Sequence, residues 1–446
     1  MPRQHDREIL RLAVPAFLAL VAEPLFLLAD AAIVGHLGTT ELAGLGIAAV
    51  VLQTAVGLCV FLAYGTTASV ARHLGAGDLR AALAQGVDGL WLAVAIGVLV
   101  TIAGVAATEP LVGAFGATPA VAEQGATYLR IAFLGTTPLL LMLAATGVLR
   151  GLQDTTTPLV VAVVGNGLNV VLNLLLVYGA GPVPALGIAG SAWGSVAAQL
   201  VSAAILVGVV VRAARRHHAS RRPDLAGILA AAHAAVPLVV RTLTLRAALL
   251  VTTYAVVLAA ADAADGGEVA LATHQLAMTL WTFLVFVLDA IAIAAQALTG
   301  RSLGAGDLET TRAVTARMVQ WGVATGVVTG LGLGLASPLL GPLFTPDPAV
   351  RELLVPVLVV AALGQPVAGL VFVLDGVLIG AGDGAYLAWG GLVVLAVYAP
   401  VVLLATALGS LVWLWVVFSA VFMGARAVVL VHRARGDAWL VVGARR

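Results

Sequence analysis

An all-α integral membrane fold of about twelve transmembrane helices, built as two parallel six-helix repeats, follows from three features of the sequence. The chain is 61% hydrophobic and only 10% charged over 446 residues, with a mean hydropathy of +1.08. A soluble domain carries about 25% charged residues. Its apolar runs have bilayer length, which is about 20 residues for a spanning helix. Finally, one half of the chain repeats in the other. The net charge of +1 gives no footing for nucleic acid, all 23 basic residues are arginine, and the lone Cys59 excludes an intrachain disulfide.

Apolar segments separated by Gly, Pro, Asp and Arg predict spans at 12–35, 44–71, 86–108, 125–147, 158–178 and 188–212, then at 236–262, 269–298, 313–336, 350–376, 385–407 and 410–432. The charged start, MPRQHDREILR, runs into the first span without a small-residue cleavage site, which reads as a retained helix. Alternate ends hold the arginines: Arg3, Arg7 and Arg11, then Arg72 and Arg80, Arg150, the run Arg212 to Arg222, Arg301 and Arg312, and Arg433 to Arg446. The other ends hold almost none; 262–268 has only Asp262, Asp265 and Glu268. Positive residues stay inside, so both termini are expected in the cytoplasm of a multi-pass plasma (inner) membrane protein with an even number of spans.

A shift of 229 residues lays Leu74-Gly75-Ala76-Gly77-Asp78-Leu79 on Leu303-Gly304-Ala305-Gly306-Asp307-Leu308, and without a gap Arg72 on Arg301, Phe115 on Phe344, Gly147 on Gly376 and Asp154 on Asp383. Six spans per repeat restore the starting side, so the halves are parallel and related by an axis along the membrane normal, as in alternating-access transporters. The expected partition is an N-terminal six-helix half at 1–212, a basic cytoplasmic linker at 213–235, a C-terminal six-helix half at 236–432 and a cytoplasmic tail at 433–446.

The polar residues inside the spans break the repeat. Glu23 and Asp30 lie seven residues apart in the first span, with Pro24 between their ends, and the mate of Asp30 is Ala259. An ionisable group within a membrane faces a bundle interior or a wet cavity and marks an ion or proton path. Burial there disfavours a charged carboxylate, which makes Asp30 the candidate proton carrier; its bland alternative is a structural hydrogen bond. Glu23 is a second coupling acid or a cap for the irregular turn at Pro24. Asn166, Asn169 and Asn173 form one stripe at i, i+3 and i+7, with Ser191 and Ser195 at i+4 spacing on the next span. They are a polar cavity or interhelical glue. In the second half, Asp289 with Arg241 and Arg246 is expected to form a buried charge network, either structural or active in transport. The two Gly-Ala-Gly-Asp loops are turn chemistry with an Asp cap, not a phosphate loop. Five histidines sit near interfaces, and only His274 lies clearly within a span.

The chain resembles the multidrug and toxic compound extrusion (MATE) family, nearest its DNA-damage-inducible protein F branch, over nearly its whole length. The carriers are Pro15, the stretch DAAIVGHLG from Asp30 to Gly38, Gly75-Ala76-Gly77-Asp78, Arg150-Gly151-Leu152-Gln153-Asp154 with Pro158, and Asn169-Val170-Val171-Leu172-Asn173. Leu288-Asp289-Ala290, Ala295-Gln296-Ala297 and Gly304-Ala305-Gly306-Asp307 follow in the second half. The resemblance implies two lobes of six helices that export organic compounds against a proton or sodium gradient, with Asp30 carrying the coupling proton. Some relatives have Asp at the position of Asn173. One acid fewer here leaves a sodium cage poorly supplied with charge and favours protons.

The expected protein is a proton-coupled efflux antiporter for small amphipathic, often cationic compounds. It is expected to work in the bilayer as a monomer, with no metal and no cofactor beyond the gradient. A lipid-linked precursor flippase of the same superfamily would carry extra helices and a cationic cavity, of which only Arg241 and Arg246 are hints. An enzyme lacks a catalytic or metal-spaced cluster here, and an ATP-driven pump lacks its Walker motif.

Overall fold

The computed structural model describes residues 2–260 and 267–444, with side chains from His5 onward. The expected end of the seventh span, the loop acids Asp262 and Asp265, the Arg3 side chain and the last two arginines lie outside the described residues. The protein is all-α. The first half runs α1 Pro2–Gly35, α2 Thr39–Leu58, α3 Phe61–Gly75, α4 Leu79–Ala106, α5 Thr108–Gly113, α6 Pro119–Leu134, α7 Thr136–Gly151, α8 Thr156–Tyr178 and α9 Ile188–Arg216. The second half runs α10 Leu225–Ala259, α11 Glu268–Gly304, α12 Leu308–Phe344, α13 Pro348–Gly380, α14 Gly384–Ala405, α15 Leu411–Val417 and α16 Met423–Arg435.

Among the described residues eleven helices are long and apolar enough to cross a membrane, and twelve when α6 and α7, bent by 48° at Gly135, count as one span. The second span is made of α2 and α3, broken at Cys59 and Val60. Pro15 and Pro24 leave α1 continuous. In the last span a π turn at Phe418–Phe422 joins α15 to α16 and stacks Phe418 on Phe422 at 5.3 Å.

Repeat symmetry extends to atomic packing. A Cβ on Gly147 would lie 2.5 Å from the Ala63 carbonyl oxygen, and one on Gly376 would lie 2.5 Å from that of Ala292. One turn on, Gly151 meets the Thr67 carbonyl oxygen at 2.8 Å and Gly380 that of Gln296 at 2.4 Å. All four pairs are mates at the same 229-residue shift, so α7 on α3 and α13 on α11 use the same close backbone approach, which only glycine permits. The capped turns repeat as well. Gly77 and Gly306 have φ of 79° and 75°. Asp78 accepts from the Ala81 amide and Asp307 from the Thr310 amide, each at 2.8 Å. Hydrogen bonds from Thr310 hold the exposed Asp307 carboxyl below the ordinary carboxylate range.

The chain packs as two units, 14–235 and 1–13 with 236–444. This differs from the expected partition at three places. Residues 1–13 belong with the second unit, because Asp6 forms a two-pronged ion pair with Arg317 at 2.6 and 2.8 Å and accepts from Trp321 Nε1 at 2.7 Å. The expected linker is largely part of the first unit: Ala214 and Ala219 pack with Leu83 and Val87, and the Asp224 amide donates to buried Asp88 at 3.2 Å. The tail folds onto the second unit, where Trp439 is buried and the Gly443 amide donates to the Leu303 carbonyl at 3.0 Å.

Gly376→Leu is expected to force α13 off α11 and destabilise the protein by about 1–3 kcal/mol, read as a lower melting temperature in detergent. Gly424→Ala, whose Cβ meets nothing within 4 Å, is the matched control. Equal melting of the two variants would overturn this packing account.

Candidate functional site

The site is built where α1, α6, α8 and α9 meet within the first unit. Asp30, one turn before the end of α1, is 4% exposed. α8 carries Asn169 and Asn173 on one helical face, both buried, because i and i+4 share a face. α9 presents Ser191 and Ser195 at the same spacing, also buried. Asn173 Nδ2 donates to Asp30 Oδ1 at 2.7 Å and to Asn169 Oδ1 at 3.0 Å. The Ser191 hydroxyl donates to Asp30 Oδ1, and the Tyr128 hydroxyl of α6 to Asp30 Oδ2 at 3.2 Å. Asn169 Nδ2 passes the chain on to Ser195 Oγ at 3.0 Å. Below this cluster Asn166 Nδ2 donates to the Ala22 carbonyl at 2.8 Å, and above it the Tyr178 hydroxyl donates to the Ile33 carbonyl at 2.6 Å. Thus α8 grips α1 at three levels.

Of the sequence-predicted residues, Asp30, Asn169, Asn173, Ser191 and Ser195 converge in one cluster. Asn166 is half-buried and bonds the backbone of α1, and Glu23 is exposed, outside the cluster. Two turns of helix rise about 10.5 Å, so residues seven apart share a face without sharing neighbours. Tyr128 was not predicted. It lies among Glu123, Gln124, Thr127 and Arg130, where one more polar group does not stand out, and a tyrosine near a helix start reads as an interfacial anchor.

Among the described residues Asp30 makes no ion pair; three neutral donors serve its carboxylate and no described basic side chain offsets its charge. A carboxylate only accepts hydrogen bonds, whereas a carboxylic acid also donates one. Asn173 Oδ1 is buried without a partner, on the amide whose Nδ2 faces Asp30. The position of that amide depends on Gly194 of α9, where a Cβ would lie 2.1 Å from Asn173 Oδ1. Among the described residues no group of three or more His, Cys, Asp or Glu could hold a metal ion.

The charge network of the second unit is centred elsewhere than expected. Arg241 on α10 clasps buried Asp375 on α13, with Nε on Oδ1 at 3.1 Å and Nη2 on Oδ2. Arg426 on α16, itself buried, adds a bond to Asp375 Oδ2 at 3.3 Å and lies over the Phe372 and Phe422 rings at 5.6 and 5.7 Å. Asp289 attracts the Arg426 charge. Arg246 is exposed and stands outside this network. The sequence places Asp375 near water at a helix end, but packing of α16 over that end buries it, and such long-range pairing has no periodic signal.

Gly194→Ala is expected to push the Asn173 amide out of line and weaken transport by about tenfold or more, at the cost of one lost charge-assisted hydrogen bond. Asn173→Ala should reproduce the loss. Full transport by both would show that the Asn173 bond is dispensable. Asp375→Asn leaves two guanidinium groups without their shared acid and should lower stability by about 3–5 kcal/mol, as melting in detergent reports. Asp289→Asn with unchanged expression and transport would remove Asp289 from any supporting role.

Comparison with known proteins agrees with this frame. The MatE family model matches residues 15–175 and 243–404, one copy in each half of the repeat. Protein DETOXIFICATION 44, chloroplastic, of Arabidopsis thaliana is 30% identical over 430 residues, covering 92% of this chain and 78% of that protein. DNA damage-inducible protein F of Escherichia coli is 29% identical over 304 residues, covering 68% of this chain and 64% of its own length. The fold of the Vibrio cholerae MATE transporter VcmN in its bent form superposes with a TM-score of 0.86 at 20% identity, covering 97% of each chain. The chain, a multi-pass membrane protein, belongs to the MatE family.

Proposed function

We propose that this protein is a secondary active antiporter of the cytoplasmic membrane, with both termini cytoplasmic. It moves small amphipathic organic compounds outward as protons move inward by way of Asp30. The observation that carries this reading is the buried Asp30 carboxyl, held by three neutral donors with no basic partner. Protonation is the chemical route by which such a group sheds its charge. The cluster holds a single carboxylate, whereas a sodium ion calls for several oxygen ligands and further negative charge. The arginine asymmetry of the loops supports the orientation. A proton entering gains about 2.3 kcal/mol per 100 mV, before any pH gradient, which suffices for uphill export without ATP.

Dye efflux from proteoliposomes tests this directly. Efflux driven by an imposed pH gradient, absent with a sodium gradient alone and lost in a folded Asp30→Asn variant, is the expected outcome. Sodium-driven efflux would move the coupling ion away from protons. Unimpaired efflux by Asp30→Asn would remove Asp30 from coupling altogether.

A further inference from the structure

We propose that Arg246 is a recognition site for the anionic group, a carboxylate or comparable oxyanion, of an amphipathic organic compound. The proposal rests on the efflux reading for its biological setting but not for its test. Arg246 lies twenty-one residues from the first residue of α10 and thirteen from the last. At a rise of 1.5 Å per residue these separations are about 30 and 20 Å. An arginine side chain extends only about 6–7 Å and cannot reach either helix end by snorkelling. Its side chain is exposed, and no described residue pairs with it. The neighbouring cations differ: Arg241 and Arg426 share Asp375, with Asp289 close by. Arg246 is therefore a surplus positive charge at depth in a spanning helix.

A bare guanidinium against lipid tails at this depth costs about 2.5–3.5 kcal/mol even on insertion scales. Water or an anion on that face removes the cost. The face itself has an amphipathic pattern: Leu243, Arg246, Leu250, Thr253, Tyr254 and Val257 are all exposed. Beyond the apolar Leu250, Thr253 hydrogen-bonds with His274 Nε2 at 3.3 Å. Two further polar atoms, His274 Nδ1 and Trp415 Nε1, are buried without partners, on rings whose centroids lie 5.8 Å apart. One cation, the apolar Leu250 and the exposed Thr253 and Tyr254 beyond it match a compound with one acidic group on an aromatic body. The residue 229 positions earlier is Phe17, so this charge is a feature of the second half alone. Arginine presents its donors as a planar fork that fits a carboxylate on two points, which a single polar amide cannot reproduce.

Equilibrium binding of carboxyfluorescein and of ethidium to the purified full-length protein in detergent is the test, on wild type, Arg246→Gln and Arg246→Lys. Arg246→Gln should weaken carboxyfluorescein binding about tenfold or more and leave ethidium binding unchanged, while Arg246→Lys keeps part of the anion affinity. Melting temperatures should match, because the side chain is exposed. Equal carboxyfluorescein binding by wild type and Arg246→Gln would overturn the proposal, as would parallel loss of both dyes. Displacement of carboxyfluorescein by phosphatidylglycerol but not by free aromatic carboxylates would assign the site to a lipid phosphate and overturn the organic-compound assignment. Failure of the wild type to move any dye under either gradient would defeat the antiport reading and leave this binding result standing.

Discussion

The bond from Asn173 to Asp30 is the constraint on which the first unit's interior turns. It draws a carboxyl on α1 into a space with no basic residue, and everything around it is arranged to make that tolerable. Asn173 spends both amide hydrogens, one on Asp30 and one on Asn169. Asn169 in turn spends one on Ser195, so the donors form a directed chain in which each polar group is fixed by the next. Hydrogen-bond chains in a low dielectric polarise one another, and their energies are not separable bond by bond. The glycine at 194 is part of the same constraint, since α9 can approach the amide closely only where no Cβ intervenes.

The fold was legible in the sequence because its signals are local or periodic. Span length, loop arginines and the 229-residue shift each depend on one coordinate along the chain, and the glycine pairs at 147 and 376 confirm that shift in three dimensions. Asp30 was legible as a carboxyl inside an apolar span, and Asn169 with Asn173 and Ser191 with Ser195 because helical spacing puts each pair on one face. Tyr128 and the Asp375–Arg426 bond were not, because each joins residues far apart in sequence with no repeat to announce them. The unit boundary at 13 was hidden by continuity of α1, whose first turns are claimed by Arg317 and Trp321 on α12.

Glu23 shows where helical-face reasoning stops. It shares an angular position with Asp30, yet the cluster engages α1 through Asp30, two turns away. The level of Glu23 is met by Asn166, which spends its amide on the Ala22 carbonyl and not on the acid. A bilayer-spanning helix passes several such layers, and each has its own neighbours. A shared stripe therefore predicts orientation, and only packing decides company.

The two halves share a frame and divide the polar work. The glycine contacts at 147/376 and 151/380 and the capped turns at Asp78 and Asp307 recur because they hold helices together, and any six-helix half needs them. Buried charge does not recur. The first half sets the buried Asp30 among neutral side-chain donors; the second compensates Asp375 with Arg241 and Arg426. A compensated network is costly to protonate or deprotonate, since changing one charge strands its partners. An acid among neutral donors strands nothing when it changes state. On the proposed antiport reading, coupling chemistry belongs in the half whose charge can change alone, while the half with paired charges is suited to stable packing.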